Sequence, residues 1–127
     1  MGKLTTHVLD TSSGLPGRQI GVSLFRLTGD QRQPLITTQT NDDGRCDEPL
    51  LADGEFSAGQ YELVFAIGEY FKRLGTSARS STMPDLPFPD PPFLDDVVLR
   101  FGIAHPEQHY HVPLLVSPYG YSTYRGS

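Results

Sequence analysis

Apolar side chains recur at every second residue along much of this chain, in short runs cut apart by glycine, proline, Asn and Asp. A two-residue period places alternate side chains on opposite faces of an extended backbone, so it admits strands and little else. Ile20, Val22 and Leu24 alternate with Gly21, Ser23 and Phe25. Tyr61, Leu63, Phe65 and Ile67 share one face, and Val97, Leu99, Phe101 and Ile103 alternate against Val98, Arg100 and Gly102. The thirteen glycines and eleven prolines supply the turns between such runs. An all-β, antiparallel two-sheet sandwich of about seven or eight strands follows, built as one domain over 1–127.

Further strands are predicted over 3–9, from near Gln19, over 35–40, over 109–116 and over 119–125, with one short helix over 68–74. Asn41-Asp42-Asp43-Gly44 closes the third strand, because Asn, Asp and Gly tolerate the left-handed backbone of a tight turn. Arg45 emerges directly from it. From 75 to 92 five prolines accompany Ser and Asp with few aliphatics, which predicts an exposed surface loop. Pro113 falls inside a predicted strand, where it lacks a ladder donor and calls for a bulge or an edge.

The formal charge of -5 repels a phosphate backbone, so nucleic acid is not an expected partner. No run of about eighteen apolar residues marks a membrane span, and the first residues lack the apolar core of a secretory signal. Cys46 is the single cysteine, which excludes an internal disulfide and fits a reducing, cytoplasmic setting, with the periplasm and the peroxisome still compatible. Walker loops, dinucleotide fingerprints, paired cysteines at zinc spacing and Gly-x-Ser-x-Gly elbows are all missing.

Chemistry therefore rests on His7, His105, His109, His111 and Arg45. Histidine gives and takes protons near neutral pH, and arginine presents a fork of donors to carbonyl or anionic oxygens, which together suffice for metal-free hydrolysis. The plainer readings stand beside this one: a strand histidine is commonly structural, His105 before Pro106 is a loop residue, and Arg45 is by default a solvated charge. His109 and His111, two apart on one strand face, are also compatible with half of a metal site, although no third ligand is evident. Tyr119, Tyr121 and Tyr124 are by default packing or interface aromatics.

Three separated segments, Leu4-Thr5-Thr6-His7-Val8-Leu9-Asp10, Asn41-Asp42-Asp43-Gly44-Arg45 and the run from His109 to the closing Tyr124-Arg125-Gly126-Ser127, together resemble the 5-hydroxyisourate hydrolases, the enzymatic branch of the transthyretin-like family. The final tetrapeptide looks like the signature that separates the hydrolases from the hormone carriers. The resemblance implies a sandwich of eight strands with one short helix, a homotetramer (a dimer of dimers) with active sites along a central channel, and no cofactor or metal. It implies hydrolysis of 5-hydroxyisourate to 2-oxo-4-hydroxy-4-carboxy-5-ureidoimidazoline in urate breakdown. Carried over by position, the catalytic residues would be His7, His111 and Arg45, and substrate would be bound by His7, Arg45, Tyr124 and Ser127; His109 matches a catalytic position less securely. The proline-rich stretch is longer than the resemblance leads one to expect. The competing class is a transthyretin-like carrier that binds thyroid hormone in the same channel without catalysis.

Overall fold

The computed structural model describes residues 2–78 and 90–127. In chain order the elements are β1 (Lys3–Asp10), β2 (Leu15–Pro16), β3 (Gly21–Thr28), β4 (Gln31–Gln39), β5 (Leu51–Ala52), a 3-10 turn (Asp53–Glu55), β6 (Gly59–Phe65), α1 (Ile67–Ala78), β7 (Val97–Ile103), β8 (Tyr110–Ser117) and β9 (Gly120–Thr123). One sheet has the order β2-β1-β8-β9 with β5 also paired to β1, and the other has the order β4-β3-β6-β7.

Strict alternation builds the core. Leu4, Val8, Val112, Leu114 and Val116 of the first sheet face Val22, Leu24, Tyr61, Leu63, Phe65 and Val97 of the second, all buried. A one-residue slip in either sheet would turn this set out to water, so the apolar pattern fixes the register. α1 closes one end of the sandwich with Ile67, Tyr70 and Phe71, spaced to share one helix face. Glu62 of β6 lies on the outer face of the second sheet, nearly inaccessible, between Arg32 of β4 (2.7 Å) and Arg100 of β7 (3.0 Å).

The two-sheet sandwich agrees with the sequence pattern, with some differences. β1 pairs β8 in parallel, from Leu4↔Tyr110 to Asp10↔Val116, whereas every other strand pair is antiparallel. Strands separated by about a hundred residues are not bound by a hairpin, so alternation along each strand leaves their relative direction open. β4 begins at Gln31 rather than 35 because its exposed first half has no apolar signal. Ile67 starts the helix instead of continuing β6, and the helix runs to Ala78, into the stretch read as loop. The remainder of that stretch from 79 to 89 lies outside the described residues.

Candidate active site

β1 and β8 turn their odd-numbered residues away from the core. Thr5, His7, His111 and Leu115 are therefore half-buried on the outer face of the first sheet, with Thr5 directly opposite His111. Parallel pairing of the first and last long strands is what brings the two histidine segments, about a hundred residues apart, side by side.

The turn at 41–44 delivers Arg45 to the same place. The Asn41 side-chain oxygen accepts from the backbone N–H groups of Asp43 (2.9 Å) and Arg45 (3.2 Å), locking the turn. Gly44 has φ +77°, and a β-carbon there would lie 2.4 Å from the Val8 carbonyl oxygen, so only glycine lets the turn press onto β1. The Val8 N–H donates to the Gly44 carbonyl (2.8 Å), and His7 and Arg45 form an isolated antiparallel bridge. His7 Nε2 donates to the Asp43 carbonyl (3.0 Å), which assigns the proton of the neutral ring to Nε2 and leaves Nδ1 with its lone pair.

The tail reaches the site along the other edge of β8. The β8–β9 ladder runs down to Leu114↔Thr123 and resumes in the same register at His111↔Gly126, where both backbone hydrogen bonds form. Two pairs are missing between them, Pro113 with Tyr124 and Val112 with Arg125. Pro113 has no N–H to give, and its carbonyl accepts instead from the Thr123 hydroxyl (2.7 Å). This break is the accommodation that a strand proline demands. Arg125 clamps the tail beyond it, donating to the Gln108 side chain (3.0 Å) and the His109 carbonyl (3.2 Å) with its guanidinium 4.2 Å from the centre of the Tyr110 ring.

A cavity of about 490 Å3 results, with Thr5, Arg45, Cys46, His109, His111 and Ser127 on its walls and Glu48 at its side. His111 Nδ1 lies 2.9 Å from the Thr5 hydroxyl, and His109 Nε2 lies 3.2 Å from the same oxygen. Burial lowers the His111 pKa below the ordinary histidine value, and the charges of Arg45, His7 and His109 push it the same way. The lowered pKa favours the neutral ring at pH 7. Among the described residues the Arg45 guanidinium has no hydrogen bond or ion pair, so it is available to an oxygen-rich ligand.

Of the residues that sequence reasoning singled out, Arg45, His111 and Ser127 line this cavity and His7 stands beside it, bridged to Arg45. Tyr124 does not join them: it lines a separate groove with Val98, Phe101 and Val112. His105 is exposed and faces Glu107 at 3.4 Å. No group of three or more His, Cys, Asp or Glu poised to hold a metal ion occurs among the described residues. Thr5, Cys46 and Glu48 were not foreseen. Only Thr5 had a signal: it precedes His7 by two on one strand, and so had to share its face.

A model describing the HIUase/Transthyretin family matches residues 4–126. The chain is 54% identical over 127 residues to 5-hydroxyisourate hydrolase of Ralstonia nicotianae, covering 100% of both chains. Among solved structures, that of Klebsiella pneumoniae 5-hydroxyisourate hydrolase is similar over 100% of both chains, with a TM-score of 0.76 and 33% identity. (S)-allantoin synthase superposes with a TM-score of 0.86 at 46% identity, and there this chain covers 99% of itself but 44% of the larger protein.

Proposed function

The chain belongs to the HIUase/Transthyretin family, and from that premise we propose that it hydrolyses 5-hydroxyisourate, opening a lactam-like C–N bond to give 2-oxo-4-hydroxy-4-carboxy-5-ureidoimidazoline. The observation that carries this reading is the convergence of Arg45 and His111 on one cavity with His7 beside it, from three distant segments, in a chain that shares 54% of its residues with an enzyme of that activity.

Ring opening needs a base for water, a stabiliser for the oxygen that gains negative charge, and an acid for the departing ring nitrogen. His111 is the base: its lowered pKa keeps it neutral, and with Nδ1 held by Thr5 its Nε2 is free to take the proton. Arg45 meets the developing oxyanion. His7 is the acid, because the Asp43 carbonyl holds Nε2–H in either charge state and leaves Nδ1 to deliver a proton. Ser127 hydrogen-bonds substrate or water from the tail. Tyr124, turned to another groove, would contribute to substrate binding from a neighbouring copy.

That last assignment goes with assembly as a homotetramer, a dimer of dimers, whose central channel would be walled by the outer face of the first sheet. The half-buried Leu9 and Leu115 beside the histidines support such a covered face. The chain acts as one domain over 1–127. None of the helices among the described residues is long and apolar enough to cross a membrane. The proposed compartment is the cytoplasm, supported by the lone cysteine alone.

Hydrolase and carrier separate in one assay. 5-Hydroxyisourate generated freshly from urate by uricase should lose its absorbance faster with the protein than without it. Decay at the spontaneous rate, together with saturable binding of an iodinated phenol, would favour the carrier and overturn the proposal.

A further inference from the structure

The Thr5 hydroxyl stands between two imidazoles, 2.9 Å from His111 Nδ1 and 3.2 Å from His109 Nε2. A hydroxyl has one proton to donate and two lone pairs to accept with, so it can accept from both rings but donate to only one of them. If it donates to His111 Nδ1, it must accept from His109 Nε2–H, and neutral His111 then bears its proton on Nε2. If it donates to His109 Nε2, it must accept from His111 Nδ1–H, and neutral His109 then bears its proton on Nδ1.

We propose that Thr5 is a positioning residue that couples His109 to His111, because both hydrogen bonds stand only while at least one of the two rings presents an N–H to the shared hydroxyl. The inference deepens the hydrolase reading and, for its kinetic consequence alone, rests on it.

The coupling selects the state that the base requires. His111 can accept a proton at Nε2 only when its own proton is on Nδ1, and a Thr5 hydroxyl that donates to an unprotonated His109 Nε2 enforces that state. Once His111 has taken a proton from water, Nδ1–H still donates to Thr5 and both bonds survive. A His109 ring that presents Nε2–H to Thr5 lifts this constraint and admits the His111 tautomer with its proton on Nε2, which cannot act as base. The path also carries a proton outward. The His111 Nδ1–H bond breaks as a Thr5 O–H bond forms, and the original Thr5 O–H bond breaks as a His109 Nε2–H bond forms. Threonine is unchanged, His111 is neutral, and the charge rests on His109 at the cavity wall. Hydrolysis of a lactam creates a carboxylic acid whose ionisation releases one proton, so a route for its removal has a use.

Other charges bear on the same pair. Arg45, from the turn on β1, and His7, on β1, face His111. Glu48 and Cys46 share the cavity wall, and Arg125 of the tail is bonded to the His109 carbonyl. None of these reaches the shared proton, so removing the Thr5 hydroxyl isolates its contribution.

The test uses 15N-histidine-labelled protein and long-range proton–nitrogen spectra, which report tautomer and charge ring by ring without any substrate. In the wild type, His111 should hold its proton on Nδ1, paired with an unprotonated His109 Nε2. Thr5→Val keeps the size and shape of the side chain; it should mix the His111 tautomers, and Thr5→Ser should restore the single one. With 5-hydroxyisourate, Thr5→Val should lower kcat about tenfold with KM little changed, the scale of one lost hydrogen bond. Tautomers unchanged in Thr5→Val would overturn the coupling even if the enzyme hydrolyses its substrate. A single His111 tautomer lost in Thr5→Val and recovered in Thr5→Ser would sustain it even if hydrolysis were absent from every variant.

Discussion

His111 and Gly126 exchange both of their backbone hydrogen bonds, 3.1 Å from His111 N to Gly126 O and 2.6 Å from Gly126 N to His111 O. This pair holds the tail against β8 beside the His111 ring, so the position of Ser127 and that of the ring depend on one another. A β-carbon at Gly126 would come within 3.3 Å of His111 Cβ and 3.4 Å of its Cδ2. Gly126→Val should therefore displace the imidazole and lower kcat by about a hundredfold, in line with the sensitivity of catalysis to misplacements near 1 Å. Because the tail is exposed, the thermal midpoint should move by no more than a few degrees, about the scale of a surface change of 0.5 kcal/mol. Steady-state kinetics beside a melting curve checks both halves.

Gly44 makes the opposite combination. Its φ of +77° and its contact with the Val8 carbonyl mean that Gly44→Ala strains the backbone and pushes the turn from β1. A destabilisation of about 1–3 kcal/mol is expected from the strained conformation, together with lost activity as Arg45 moves off the cavity. Denaturant titration and the kcat of the folded fraction separate the two effects.

The pH dependence of kcat/KM should report His111. Burial and the neighbouring charges of Arg45, His7 and His109 lower its pKa, and the base must be neutral, so activity should rise with pH through a midpoint below the ordinary histidine value. Arg45→Gln removes one of the charges that lower it. The limb should then move toward higher pH, while the plateau falls by about a hundredfold to a thousandfold from the loss of oxyanion stabilisation. A plateau that falls with the limb unmoved would detach Arg45 from His111.

Glu62 should govern part of the acid stability. Burial works to raise its pKa, but hydrogen bonds and charges from Arg32 and Arg100 outweigh burial and hold the carboxyl below its usual value. A folded pKa below the unfolded one gives stability that is fully present above the unfolded value and is lost as pH falls through the depressed one. Glu62→Gln should thus be less stable than the wild type at neutral pH and lose less on acidification. Urea midpoints at neutral and acid pH test the sign of that difference.

How much of this was legible beforehand depended on what each residue had to do. Val22, Leu24, Leu63 and Phe65 announced their strands because burial on one face writes a period into sequence. Arg45 was legible because Asn41 to Gly44 is a turn by its own chemistry. The parallel pairing of β1 with β8 was not, since direction is set by packing of the whole chain rather than by either strand. Thr5 was missed as a partner of His111 for the same reason: its role exists only across that pairing. The separation of Tyr124 from the histidines follows from the missing donor at Pro113, whose effect on the neighbouring strand no local pattern reveals.

The most direct measurement is the first-order decay of freshly generated 5-hydroxyisourate with wild type, His7→Asn, Arg45→Ala and His111→Asn at equal concentrations of folded protein. The account predicts rapid decay with the wild type and a loss of at least about a hundredfold in each variant, the lower end of what a general acid or base contributes. Wild-type decay that persists undiminished in the His111 and His7 variants would contradict it and place the chemistry elsewhere on the molecule.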